Sequence, residues 1–257
     1  MYNAAMNNIY GAYRNFLEEH ADKARAEKEK AYLYSELKHY GVSVWERRKF
    51  FKKYEAELSS LNKNEMLKMV NFYWTKPSHE ERSLALSILN LHKDKLTLKD
   101  MPLIEKLMRE SKGWAFLDSL IISIMPVMFE KDPQAYEYLK KWIKDDDFWV
   151  RRSALLAQVL PFRANKGGDK NLFFELATSQ FDESWIEDKY KDPQNRKRAR
   201  FFIRKAIGWA IREISQKDPK TAFDFLKKHR GEMSGLSFRE GSRKLPEDLQ
   251  NQLTGSA

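Results

Sequence analysis

The sequence predicts an all-α protein, on three observations. Apolar residues recur every three or four positions along nearly the whole chain, the period of a helix with one buried face. Ten glycines and eight prolines in 257 residues leave few breaks. No run of alternating β-branched residues closes on Asn-Gly or Asp-Gly, so the hairpin signal is missing.

The elements follow in order. Residues 2–20 form an amphipathic segment with Ile9, Tyr13, Phe16 and Leu17 on its apolar side. Residues 23–38 form a highly charged second helix, with Ala24, Ala31, Leu33, Tyr34 and Leu37 apolar. His39-Tyr40-Gly41-Val42-Ser43 reads as a turn, with Ser43 as N-cap of a helix opening Val44-Trp45-Glu46-Arg47-Arg48. Asn62 to Trp74 is the next helix, closed by Lys76-Pro77-Ser78. Ser78 caps His79 to Leu91, with Glu81 at the capping-box position. Asp100-Met101-Pro102 opens another helix, because proline suits a first turn. Gly113 separates it from a helix carrying Trp114 and Asp118, and Asp132-Pro133 starts one ending near Lys144. Phe148 to Leu160 is expected to stop at Pro161. Residues 163–170 form the one glycine-rich loop, which lacks the Walker pattern and follows no strand, so it is not a nucleotide site. Asn171 to Phe181 is helical, Asp192-Pro193 precedes a long basic helix, and Asp218-Pro219 starts Lys220 to His229.

A repeat runs through these elements. Glu81-Arg82-Ser83-Leu84-Ala85 and Arg151-Arg152-Ser153-Ala154-Leu155 open similar helices 70 residues apart, with Asp118 midway between them. A period of about 35 to 40 residues, two helices each, is the mark of a helical solenoid. A single domain over residues 1–257 is expected, with residues 1–39 least constrained and residues 254–257 a frayed tail.

Composition narrows the partners. A net charge of +10 and a pI near 9.4 favour an anionic partner such as nucleic acid or a membrane surface. The chain has no cysteine, which excludes disulfides and thiolate metal sites and suits a reducing compartment. The five histidines, His20, His39, His79, His92 and His229, show no metal-ligand spacing, so no metal and no cofactor is expected. The longest apolar run, Leu120 to Met128, is interrupted by Ser123 and Pro126 and falls short of the roughly 18 residues needed to cross a bilayer. The N-terminus lacks a signal-peptide pattern. A soluble cytoplasmic protein is the expectation, with no membrane partner.

Three stretches carry chemistry. Arg200-Phe201-Phe202-Ile203-Arg204-Lys205-Ala206-Ile207-Gly208-Trp209-Ala210-Ile211-Arg212-Glu213 places Phe202, Ala206, Trp209 and Glu213 near one helix face. Gly208 is unfavourable there by about 1 kcal/mol against alanine, which points to something approaching the helix backbone closely at that position. Gly113-Trp114-Ala115-Phe116-Leu117-Asp118 puts Trp114 and Asp118 one turn apart. Phe148-Trp149-Val150-Arg151-Arg152 follows an acidic helix start at Asp145-Asp146-Asp147. Together these stretches resemble the AlkD-type DNA alkylation repair family, DNA glycosylases built from HEAT-like helical repeats. The turn before Val44 and the segment Met233 to Glu240 resemble the family's opening repeat and closing segment.

The resemblance implies a reaction and roles. An alkylated purine that is already cationic leaves readily, so hydrolysis of its N-glycosidic bond requires an anion to steady the oxocarbenium-like sugar and orient water. Aromatic faces stabilise the same developing cation. Asp118 is then the catalytic carboxylate, and Trp114 and Trp209 cradle the deoxyribose. Arg152 clamps a phosphate, as a guanidinium can with two bonds. Arg151, Trp149, Arg204, Lys205 and Arg212 are the further expected DNA contacts, with Arg47, Arg48 and Arg82 from the earlier repeats. The partner is duplex DNA carrying N3- or N7-alkylated purines, selected by base charge without drawing the base into a pocket. Ala115 departs from the pattern, since the family often has an acidic residue after the tryptophan. Two other readings stay open: a non-catalytic solenoid for distorted or branched DNA, and a HEAT-like adaptor for an acidic protein.

Overall fold

Side-chain caps set most helix starts where the sequence places them. The computed structural model describes residues 2–255, and those residues contain helices, turns and an isolated bridge between Lys38 and Ser78, with no strand. Ser43, Asn62 and Ser78 each form a full capping box, with Glu46, Glu65 and Glu81 respectively. Asp147, Asp169, Asp192 and Asp218 cap four later helices through their carboxylates.

The chain divides into two compact units, Met1–Lys99 with Ser111–Leu120, and Asp100–Glu110 with Ile121–Ala257. The first holds α1 (Tyr2–Glu19), α2 (Lys23–Leu33), α3 (Val44–Lys53), α4 (Glu55–Ser59), α5 (Lys63–Trp74) and α6 (His79–Leu91). After α7 (Met101–Glu110) of the second unit, α8 (Trp114–Lys131) gives residues 114–120 to the first unit and the rest to the second. The second unit continues with α9 (Ala135–Trp142), α10 (Phe148–Leu156), α11 (Val159–Ala164), α12 (Lys170–Thr178), α13 (Ser184–Lys189), α14 (Pro193–Lys217), α15 (Pro219–Lys228), α16 (Gly235–Ser242) and α17 (Glu247–Thr254). The expected tail begins where α17 ends, and residues 256–257 lie outside the described residues.

In the first unit, Ile9, Tyr13 and Leu17 of α1 are buried together with Phe50, Met69, Tyr73 and Ile88. Tyr13 packs on the rings of Phe16, Phe50 and Tyr73, and its hydroxyl donates to the Glu80 carbonyl at 3.1 Å. Its hydroxyl thus has a partner, as a buried tyrosine requires. In the second unit α14 is the central element. It packs on α10, α11, α15 and α16, burying Ala199, Ile203, Ala206, Ile207, Ala210, Ile211 and Ile214. The approach inferred at Gly208 is made by α16: a Cβ there would lie 2.5 Å from Glu240 Cβ and 3.0 Å from the Ser237 carbonyl.

Two boundaries differ from the sequence expectation, and two short helices were not expected. α2 ends at Leu33, because Tyr34 takes a left-handed backbone (φ 51) and caps the helix. Pro161 does not stop the helix from Phe148. The break falls at Ala157 and Gln158, and Pro161 sits in the first turn of α11, where no helical N–H is required. The charged segments of α4 and α13 lack a long apolar period, which left them unassigned. No helix among the described residues is long and apolar enough to cross a membrane.

Candidate functional site

In the first unit, α8 starts immediately after Gly113, and Lys112 before it takes φ 48. The Trp114 ring meets the exposed Tyr32 edge-on, with centroids 5.6 Å apart. Phe116 sets the rotation of the helix: it stacks on His79 at 4.4 Å and meets Trp74 edge-on at 5.5 Å. With Phe116, Leu117 and Leu120 buried, Asp118 lies one turn after Trp114 and is only 8% exposed. Ala115 is half-buried between them. Burial of a carboxylate is unfavourable unless neighbours compensate, so carboxylates are seldom this deep.

Two of the first-unit arginines, Arg82 and Arg47, are held by backbone carbonyls close by in sequence. Arg82 Nε donates to the Lys76 carbonyl at 3.0 Å, and its guanidinium lies 5.5 Å from the Trp74 ring centre. Arg47 Nε donates to the Val42 carbonyl at 3.2 Å. Arg48 is exposed, next to an exposed Trp45 whose ring carries the Lys49 ammonium at 3.3 Å.

In the second unit, Trp149 and Arg152 converge on Phe202. The Trp149 ring is buried 4.6 Å from Phe202 and the same distance from Phe148. Arg152 is 3% exposed, donates from Nη1 to the Phe202 carbonyl at 2.7 Å and lies over the Phe202 ring. Arg151 is spread over Trp185 at 3.6 Å and donates to the Asp145 carbonyl and to Gln180. Its burial lowers its guanidinium pKa below the usual value.

Five basic side chains of α14, Arg196, Arg200, Arg204, Lys205 and Arg212, are paired with carboxylates. Arg204 forms two bonds to Glu183, at 2.6 and 2.5 Å, and Arg200 reaches Glu183 and Glu187. Arg196 also pairs with Glu187. Lys205 and Arg212 share Glu240, at 2.6 and 2.5 Å. Trp209 donates its indole N–H to Glu213, which also receives two bonds from Arg163, both at 3.0 Å. These acidic partners escaped the sequence reading. Glu213 carried a visible signal, four residues after Trp209 on one face. Glu183 and Glu240 carried none, since their separation from the arginines follows no local period.

The family model described as DNA alkylation repair enzyme matches residues 13–245. No curated protein matches the chain. A solved structure, a predicted DNA alkylation repair enzyme from Enterococcus faecalis, superposes with a TM-score of 0.73 at 19% identity, covering 88% of this chain and 97% of its own. At that identity the likeness shows an all-α fold in common. With the family match spanning the Trp114–Asp118 turn, the arginine pair of α10 and the whole of α14, the chain belongs to the DNA alkylation repair enzyme family, a family of DNA repair.

Proposed function

We propose that the chain is a DNA glycosylase that hydrolyses the N-glycosidic bond of cationic N3- or N7-alkylated purines in duplex DNA. Asp118 is the carboxylate that stabilises the oxocarbenium-like sugar and orients water. Trp114 and Trp209 supply the aromatic faces, and Arg152 is the phosphate partner. The cationic purine needs no general acid, and charge on the base selects the substrate. The proposal includes a single HEAT-like solenoid that works as a monomer with neither metal nor cofactor in the chemistry. The observation that supports it is Asp118 itself, a carboxylate 8% exposed, one turn from a half-buried tryptophan.

The test is a duplex with one 7-methylguanine, incubated with wild type and with Asp118→Asn, with and without chelator. Abasic sites are read by alkali-induced strand cleavage. Release by wild type and a loss of 100-fold or more in the variant supports the proposal. Equal release by both removes Asp118 from the reaction. A second reading, DNA binding without excision, is favoured by Ala115 in place of the acidic residue. It requires salt-sensitive duplex binding by a wild type that releases no base.

A further inference from the structure

We propose that Glu29, His39 and Glu80 form a binding site for a divalent transition-metal cation of the zinc class. The three residues come from α2, from the turn after it and from the first turn of α6, all within the first unit. One donor atom from each lies within 4.8 Å of the other two.

The donor atoms are presented in a consistent way. Glu80 is fully buried, and its Oε1 accepts the backbone N–H groups of Tyr40 and Gly41 at 3.0 and 2.8 Å. Its Oε2 is buried with no partner. Glu29 accepts the Arg25 Nε–H on Oε1 at 2.7 Å, while its Oε2 faces His39 Nδ1 at 4.0 Å. The His39 side chain is 1% exposed, and neither ring nitrogen has a hydrogen-bond partner. Each carboxylate thus has one oxygen anchored, as second-shell bonds anchor the ligands of metal sites. His79 stacks on His39 at 4.7 Å and fixes the plane of the ring.

Buried polar atoms without partners are destabilising and rare, and here three gather in one cluster. The 4.0 Å gap is too long for a hydrogen bond. It is wider than the roughly 3.3–3.6 Å between two ligands of a tetrahedral ion with bonds of about 2.0–2.2 Å, so binding would draw the two atoms together. One imidazole and two carboxylates match zinc and its neighbours, whereas magnesium and calcium prefer oxygen alone. Two carboxylates balance a double positive charge, against the opposing field of Lys30 and Arg47. A cavity of about 540 Å³ lined by His39, Tyr40, Lys30 and Lys38 lies beside the cluster. The ion would pin α2 and its following turn to α6. The histidine spacings gave no hint of it, because two of the three ligands are carboxylates from separate helices. The proposal is independent of the glycosylase reading.

The test is calorimetric titration of chelator-stripped full-length protein with Zn²⁺, and separately with Mg²⁺. The expected result is one Zn²⁺ per chain, a raised Tm, no Mg²⁺ binding, and visible absorption when Co²⁺ replaces Zn²⁺. Glu29→Gln keeps an acceptor for Arg25 at a position 26% exposed in its side chain, so it retains the fold. It and His39→Gln are each expected to weaken Zn²⁺ binding at least tenfold, with the circular dichroism of Glu29→Gln unchanged. His229→Gln, which removes the His229–Glu232 pair of the second unit, is expected to leave binding intact. Absence of stoichiometric Zn²⁺ binding, binding that survives both ligand variants, or binding lost in His229→Gln overturns the proposal.

Discussion

Trp209 donates its indole N–H to Glu213 Oε1 at 2.9 Å, so the orientation of the tryptophan depends on a carboxylate one turn further along α14. Glu213 is 6% exposed and is itself held by Arg163 through two bonds. Glu213→Ala removes the acceptor and leaves the indole N–H and a guanidinium without it. A hydrogen bond to a charged group contributes about 1.5–3 kcal/mol, and the half-exposed Arg163 side chain recovers part of that from water. We expect a loss of about 2 kcal/mol for Glu213→Ala and about 1 kcal/mol for Glu213→Gln, which keeps an oxygen for Trp209. Urea denaturation measures both, and equal losses would show that the Trp209 bond contributes nothing.

Acid should unfold the second unit through its paired carboxylates. Burial alone would raise the pKa of Glu213, but bonds from Arg163 and Trp209, with the charges of Arg163 and Arg212, bring it below its ordinary value. Asp145 is lowered in the same manner by Arg109, again against burial, and Asp218 chiefly by its bond from Lys170. A carboxyl lowered in the folded state contributes stability that is present above its unfolded pKa and lost as pH falls through the folded value. Urea stability is therefore expected to stay level from neutrality to about pH 5, and to fall steeply below the unfolded carboxylate range near 4. Glu213→Gln should show a shallower fall. An unchanged slope would mean that the pair does not titrate with unfolding.

Asp147 has the opposite sign. It caps α10, and burial, aided by the charge of Asp145, raises its pKa against the bond it accepts from the Trp149 N–H. A carboxyl raised in the folded state gives its full stability below the unfolded pKa and loses it as pH rises through the folded value. Asparagine caps a helix as well as aspartate does and carries no charge. Asp147→Asn is expected to be more stable than wild type at pH 7, with the advantage shrinking as pH falls through the carboxylate range. Thermal unfolding at pH 7 and pH 3 measures the difference, and an advantage that grows in acid would contradict the sign.

Gly208→Ala sets helix propensity against packing. Alanine favours the helix by about 1 kcal/mol. The added carbon would meet Glu240 Cβ at 2.5 Å and the Ser237 carbonyl at 3.0 Å, closer than packed atoms approach. Overpacking costs about 1–3 kcal/mol, and one of the colliding groups here is backbone that cannot rotate away. A lower Tm is expected, and a raised one would show that α16 yields easily.

The helices were legible in the sequence because caps and periodicity act locally. Ser43, Asn62, Ser78 and Asp192 each bond within their own first turn, so residue type and spacing were enough to place four helix starts. Gly208 was legible as a close approach, but not that Ser237 and Glu240 make it. Pro161 misled because a proline that ends one helix and a proline that begins the next have the same local sequence signal. The chemistry of the basic tract was the least legible part. Arg204 and Arg212 read as open cations, and only the folding of α13 and α16 against α14 supplies Glu183 and Glu240.

That neutralisation yields a prediction about DNA. Glu183 holds Arg200 and Arg204 together, and its carboxylate is 18% exposed, so it competes with any phosphate for both guanidiniums. Glu183→Gln removes the charge, freeing Arg204 and leaving Arg200 with Glu187 alone. The stability cost is about 1 kcal/mol, because both arginines stay partly solvated. Each phosphate newly contacted adds about 0.9 to the steepness of log affinity against log salt. If α14 faces the duplex, Glu183→Gln is expected to bind duplex DNA several-fold more tightly at low salt, with a steeper salt dependence than wild type. Fluorescence anisotropy across a salt series reads both quantities. Tighter binding with the steeper slope assigns Arg200 and Arg204 to phosphate contact. Unchanged affinity and slope would show that these arginines fasten α13 to α14 and take no part in binding DNA.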